Sequence, residues 1–218
     1  MGQQVIVVGL GRFGSAAART LHALGHEVLA VDASEEIINE IAPDVTHAVQ
    51  ADASDQKALM ALGAGNFDIA VVAMSSNLEA SLLATVALKQ LGVRRVIAKA
   101  GNPLHGLVLE RVGADRIVYP EREAGEDVAH TIRIPDAVDY MDLAPAHGIA
   151  KVPVPQAYVD RSLLQLDLQG RFHITTIALV RDRTVIVNPH RDEVLRGGDQ
   201  LVLLGNDDHL AKVTSDAD

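Results

Sequence analysis

Apolar residues come in short bursts through the first part of the chain, with helical stretches between them. Val5-Ile-Val-Val8 is a continuous apolar run. It predicts a strand buried on both faces, as in a parallel sheet. From Arg12 to Leu24, Phe13, Ala17, Leu21 and Leu24 recur at helical spacing, and Gly25 follows where a helix favours a left-handed residue. Glu27–Asp32 reads as a second strand. Ser34 then caps a helix that carries Glu35 and Glu36 in its first turn, where the helix dipole favours acids. Residues 46–51 form a third, weaker strand, with Asp55 as the next cap. Residues 67–74 form a fourth. Ser76 and Glu79 read as a capping box opening a helix through Leu91, which Gly92 closes. Arg95–Lys99 is a fifth strand, residues 102–112 a helix ended by Gly113, and residues 115–119 a sixth strand. Strand alternating with helix in this way predicts an α/β fold, a Rossmann-like doubly wound parallel sheet.

The pattern changes after Pro120. Residues 121–133 read as one more helix, followed by Pro135. Short strands are then expected at 138–142 and 148–152, and a short helix at 162–168. Residues 173–180 and 184–187 flank Arg181-Asp-Arg183 as a hairpin. A last strand at 200–204 and a short helix at 207–213 complete the pattern, and the tail 214–218 is expected to be unstructured. The expected domains are therefore 1–134, a nucleotide-binding domain with its crossover helix, and 135–218, a smaller α+β domain. A domain of roughly 80 residues is marginal alone, which favours oligomerisation.

The chemistry starts at the end of the first strand. Gly9, Gly11 and Gly14 stand in G-x-G-x-x-G spacing. The first glycine permits a tight turn, the second lets a pyrophosphate approach the backbone, and the third lets helix and strand pack closely. The free N–H groups and positive dipole end of the helix then face the phosphates. Asp32 follows about 20 residues on, where the ribose-binding acid of this fold is expected. A carboxylate there accepts ribose hydroxyls and repels a 2′-phosphate, so adenosine or NAD is expected rather than NADP. The bland alternative is that Asp32 only caps the next turn. Ligands of such sheets bind outside the carboxyl ends of the strands. Asp52, Ser54, Ser75, Asn77 and Lys99 all fall at those ends. Asn77 can also belong to a capped turn, and Lys99 can be a solvated strand end.

Composition narrows the choice. Apolar residues make up 48% of the 218 residues, but aromatics only 3%, with no Trp, so the core must be Ala, Val, Leu and Ile. The formal charge is −10. An acidic chain without basic runs is a poor partner for nucleic acid or an anionic membrane. The absence of cysteine excludes disulfides, thiolate metal sites and cysteine nucleophiles. No apolar run approaches the ~20 residues of a membrane span, and a strand beginning near Gln4 leaves no room for a signal peptide. A cytosolic protein is expected, with any membrane role exerted through a partner.

Three stretches together are similar to one family. Val8-Gly-Leu-Gly-Arg-Phe-Gly14 with Asp32, then Gly113-Ala-Asp-Arg-Ile-Val-Tyr-Pro-Glu-Arg122, then Asp192-Glu-Val-Leu-Arg-Gly-Gly-Asp199 resemble the RCK (KTN, TrkA-type) family in matching order. Its members are cytosolic regulatory subunits of Ktr and Trk potassium uptake systems and gating domains of some potassium channels. The resemblance implies dimers assembled into an eight-subunit ring at the inner face of the membrane. It also implies a KtrB-, KtrD- or TrkH-like potassium-translocating partner, and ATP and ADP that favour different ring shapes. Some relatives bind NAD(H). Arg12 matches the arginine that reaches a terminal phosphate, often the neighbouring subunit's, and Phe13 lies beside it in the motif. A guanidinium can count phosphates, because it gains a charge-assisted bond only where the third one lies. Glu121 matches a position that can hold a divalent cation, Mg2+ or Ca2+, near the phosphates. It reads equally as a first-turn acid placed for the helix dipole. In some relatives the second domain binds c-di-AMP. The corresponding region here is 169–174 with Asn188 and Pro189, but Gln169 stands where relatives often have arginine, so a domain that only dimerises is expected.

Rival readings draw less support from the residues. An NAD-dependent dehydrogenase or NAD(H) redox sensor shares the fold, yet the second half shows no acid/base constellation. The nine histidines are scattered, and His22 and His26, though four apart, straddle Gly25 and read as surface. Asp139 and Asp142 read as alternating strand positions. A non-enzymatic, nucleotide-sensing regulator is expected.

Overall fold

The computed structural model describes residues 2–134 and 136–215. Its first sheet is parallel. The strands β1 (Gln4–Val8), β2 (Glu27–Asp32), β3 (His47–Gln50), β4 (Ile69–Val72), β5 (Arg95–Lys99) and β6 (Arg116–Val118) lie in the order β3-β2-β1-β4-β5-β6. Chain order therefore reverses direction at β1/β4, the topological switch point of a doubly wound sheet.

Period-two alternation explains why both faces are covered. On β1 and β2, Ile6, Val8, Leu29 and Val31 join one apolar cluster, while Val5, Val7, Val28 and Ala30 join another. Leu59 of α3 (Gln56–Ala61), Leu88 of α4 (Leu78–Gln90) and Leu109 of α5 (Pro103–Arg111) pack in the first cluster. Ala18 of α1 (Arg12–Ala23) and Ile38 of α2 (Glu35–Ile41) pack in the second. Each such Val, Leu or Ile contributes about 1.5–3 kcal/mol when fully buried.

The expected caps of Ser34 and Asp55 form: their side chains accept from the backbone N–H groups of Ile37 and Lys57. The capping box of Ser76 and Glu79 does not. Asn77 is the cap, its Oδ1 accepting from Ala80 N at 3.0 Å. An amide one residue later meets the same need, and Glu79 is left as a first-turn acid.

The chain divides into two compact units, 1–121 and 122–218. That division falls one helix earlier than the 134/135 read from the sequence, and Pro135 itself lies outside the described residues. Helix α6 (Pro120–Arg133) has most of its length in the second unit, where its last turns find their partners. His130 stacks on Tyr140 at 4.5 Å, Arg133 pairs with Asp208 at 2.7 Å, and Ile134 enters the second core.

The second unit is an antiparallel sheet of β7 (Asp139–Ala144), β8 (His147–Pro153), β9 (Thr175–Arg181), β10 (Thr184–Val187) and β11 (Gln200–Asn206), in the order β10-β9-β11-β8-β7. The hairpin of β9 and β10 pairs as the sequence suggests. The helix expected at 162–168 is two short ones, α7 (Leu163–Leu166) and α8 (Leu168–Phe172), parted by Asp167 in the left-handed region at φ 44°. Residue 173 ends α8 rather than starting a strand, because His173 is also left-handed, at φ 56°. Helix α9 (Asp207–Ser215) takes in the first residues of the supposed tail, and 216–218 lie outside the described residues.

Candidate functional site

The three glycines after β1 have different reasons to be glycine. Gly9 is left-handed (φ 85°), and a Cβ there would strike the Met74 side chain. A Cβ on Gly14 would overlap the carbonyl oxygen of Gly9, so helix and loop could not close together. Gly11 differs. Its φ of −65° and ψ of −173° suit any residue, and a Cβ would meet nothing within 4 Å. It caps α1 without a side-chain hydrogen bond, and no acid stands in the first turn of that helix. Packing does not require glycine at this position. A bare, solvent-facing helix N-terminus is what a phosphate needs.

Neighbouring strands extend the site along the carboxyl edge of the sheet. The half-buried Asp32 ends β2. Its Oδ2 accepts from Leu10 N at 2.6 Å and its Oδ1 from Ser34 N at 2.9 Å. The carboxylate thus holds the glycine loop and the following turn, and each oxygen keeps a lone pair for a further donor. Beyond β3, the Oδ1 of the exposed Asp52 accepts from both the backbone N–H and the hydroxyl of Ser54, at 2.9 and 2.6 Å. These two bonds hold the Asp52 carboxyl below the usual aspartate range. Beyond β4, Ser75 is half-buried, while exposed Asn77 uses its side-chain oxygen on the α4 cap.

The cations lie on the other side of the loop. Arg12 is exposed in the first turn of α1. Lys99 ends β5, its side chain only 11% exposed. Its Nζ lies 5.8 Å from the centre of the Phe13 ring and 2.6 Å from Oε1 of Glu121. The Lys99 hydrogen bond, and more weakly the charges of Lys99 and Arg12, hold the Glu121 carboxyl below the usual glutamate range. Gly9, Gly11, Arg12, Phe13, Gly14, Asp32 and Lys99 therefore converge on one loop. Asp52 and Ser54 follow β3, two strands from β1, and the Asn77 side chain caps its own helix.

The chain belongs to the TrkA-type RCK family. The TrkA-N domain model matches residues 5–120 and the TrkA-C domain model residues 149–216. The Ktr system potassium uptake protein C of Bacillus subtilis is 38% identical over 94% of this chain and 93% of its own length. The Ktr system potassium uptake protein A of the same organism is 36% identical over 94% and 92%. The fold also matches the GsuK channel bound to NAD, with a TM-score of 0.66, 18% identity, and coverage of 98% of this chain and 39% of that one. GsuK bound to ADP matches over 63% of this chain and 36% of that chain, with a TM-score of 0.53 and 17% identity.

The RCK pattern led to the loop but not to everything around it. The Lys99–Glu121 pair was hidden, because its members come from separate elements. So was the buried contact of Ser81 Oγ with His105 Nε2 at 2.8 Å, beneath the ends of α4 and α5. Isolated Ser and His residues give no spacing signal.

Proposed function

We propose that the first unit binds an adenine nucleotide, ATP or ADP, and that the chain is a non-catalytic regulatory subunit of a Ktr- or Trk-type potassium uptake system. The observation that carries the reading is Gly11: it leaves the N-terminus of α1 bare where packing would accept any residue. Phosphates sit against that terminus, the ribose hydroxyls face Asp32, and Asp52 and Ser54 border the adenosine. Ser75 and Asn77 form the rim. Arg12 reads the terminal phosphate, of its own or of a neighbouring chain's nucleotide. Copies pair and assemble into a ring that acts on a membrane-embedded potassium-translocating partner. Among the described residues no helix is long and apolar enough to cross a membrane. Regulation requires that ATP favour one conformation over another more than ADP does, since equal affinity for both shifts nothing.

A divalent cation at Glu121 fits this chain poorly on its own. The carboxylate is engaged by an ammonium at 2.6 Å, and among the described residues no three His, Asp or Glu side chains cluster to hold a metal. NAD(H) is the second reading, because the same glycine loop and acid serve a dinucleotide. The deciding experiment is mass spectrometry of the nucleotide carried through purification, followed by calorimetry with ATP, ADP and NADH. Micromolar adenine-nucleotide binding is the expected result. Tight NADH binding with no response to ATP or ADP would replace the reading.

A further inference from the structure

A buried histidine in the first unit uses both ring nitrogens in a hydrogen-bond chain that only its neutral form can make. His105 of α5 is 4% exposed, and Ser81 of α4 is fully buried. The Ser81 Oγ lies 2.8 Å from the Leu78 carbonyl, which can only accept, so the single hydroxyl proton is spent there. Ser81 Oγ therefore accepts from His105 Nε2, 2.8 Å away, and the ring proton is fixed on that nitrogen. The bare Nδ1 then accepts from the backbone N–H of Gly101 at 3.3 Å. The chain joins three pieces: the first turn of α4, the first turn of α5, and the loop after β5. The His105 backbone N–H is tied to Asn102 Oδ1 at 2.9 Å, and a Cβ on Gly106 would overlap the Tyr119 hydroxyl, so the turn has no room to slide.

A second ring proton breaks this chain. It must sit on Nδ1, where donor then faces donor at Gly101, and it charges a buried ring. Among the described residues no carboxylate pairs with that ring. On the elements around it, Glu79 of α4, Arg95 of β5, Glu110 and Arg111 of α5 and Arg116 of β6 are exposed, and Tyr119 faces Gly106. Lys89 of α4 pairs with Asp115, and Lys99 of β5 with Glu121. Burial, with no charge to offset it, holds the imidazole below its ordinary 6.5. We propose that His105 is an acid-sensitive latch: neutral, it ties the loop after β5 and the first turn of α5 to α4, and protonated, it releases them. The latch is independent of which ligand the glycine loop takes. The two turns also carry Leu78 and Leu104, 52% and 70% exposed, so release alters the outer face of both helices. The released ring takes its proton near the ordinary 6.5 and the latched ring only at lower pH. Each pH unit below that value therefore favours release by about tenfold, until the latched ring itself titrates.

Nitrogen-15 NMR of the full chain, followed from about pH 7.5 to about pH 4.5, tests this. The His105 ring shifts should show the Nε2–H tautomer at neutral pH. The hydrogen-exchange protection factor of the Gly101 amide, corrected for the intrinsic pH dependence of exchange, should fall about tenfold per pH unit below about pH 6.5. The amide of Ile6, in the centre of the sheet, should keep its protection over the same range. His105→Gln retains a side-chain acceptor and donor but does not titrate, so its Gly101 protection should stay level. An Nδ1–H tautomer in the unaltered chain overturns the inference. So does Gly101 protection that is level through the acid range, or a fall as steep in His105→Gln as in the unaltered chain. Should the variant not fold, the tautomer and the protection profile of the unaltered chain decide the matter alone.

Discussion

Two charged constellations, one in each unit, look alike in composition and differ in closure. At the glycine loop of the first unit Arg12 is exposed, Gly11 leaves backbone donors bare, and the pair Lys99–Glu121 has one solvent-facing member. In the second unit Arg181 ends β9 with four hydrogen bonds from its five guanidinium N–H groups. It donates to Asp199 at 2.9 and 2.7 Å, to Glu193 at 2.8 Å and to the Val194 carbonyl at 2.9 Å. Asp199 is 2% exposed and also accepts from Arg196 N at 2.8 Å. The second network is complete and holds a fold. The first is open at the carboxyl edge of a sheet, with exposed members. Charged residues alone do not mark a site; unused hydrogen-bonding capacity does.

The comparison can be broken most forcefully at Arg181. Arg181→Ala leaves a buried carboxylate without its cation and should cost about 3–5 kcal/mol, read by urea unfolding of the second unit's signal. A cost below about 1 kcal/mol would show that the network is not a closed structural unit. The open site should behave in the reverse way. Gly11→Asp should weaken ATP and ADP at least about 100-fold in calorimetry, by filling and charging the phosphate approach. The same variant should keep or raise stability by about 0.2–0.5 kcal/mol, because Asp is a slightly better N-cap than Gly. Gly14→Ala separates packing from binding. Its methyl group meets backbone, so thermal melts should show a loss of about 1–3 kcal/mol. Arg12→Ala should narrow the ATP/ADP affinity ratio a few-fold without abolishing either; an unchanged ratio would end its phosphate-counting role.

The smallest expected effect is a pH dependence. The Arg181 hydrogen bond, opposed by burial and aided by the Arg196 backbone, holds the Asp199 carboxyl below the ordinary value of 3.8. A depressed carboxylate stabilises fully above its unfolded value and loses that contribution as pH falls through the lowered native value. The stability gap between the unaltered chain and Asp199→Asn should therefore be constant near neutrality and close only in acid. A gap that shrinks between pH 7 and 5 would assign the dependence to another group.

The first unit was nearly all legible in the chain. β2 and β5 match their expected bounds, because Val-rich runs flanked by caps and glycines are strong local signals. The misreading of Ser76 for Asn77 was a competition between adjacent caps, decided by backbone geometry at one residue. The second unit was less legible. Its short strands pair over long sequence distances, as β8 and β11 do, and its turns rest on left-handed non-glycine residues such as Asp167, His173 and Asn188. Hydrophobic spacing carries little information about either.

At the site, the chain alone named the glycines, Arg12 and Asp32, since their chemistry lies in residue type and local spacing. Only the tertiary structure showed that Gly9 and Gly14 are fixed by packing while Gly11 is not. It also showed that Asp32 ties down the loop through Leu10, and that Lys99 is held by Glu121. The physical reason is that sterics and ion pairing act between elements brought together by folding. A sequence lists donors, acceptors and charges; which of them are already used is decided by distance.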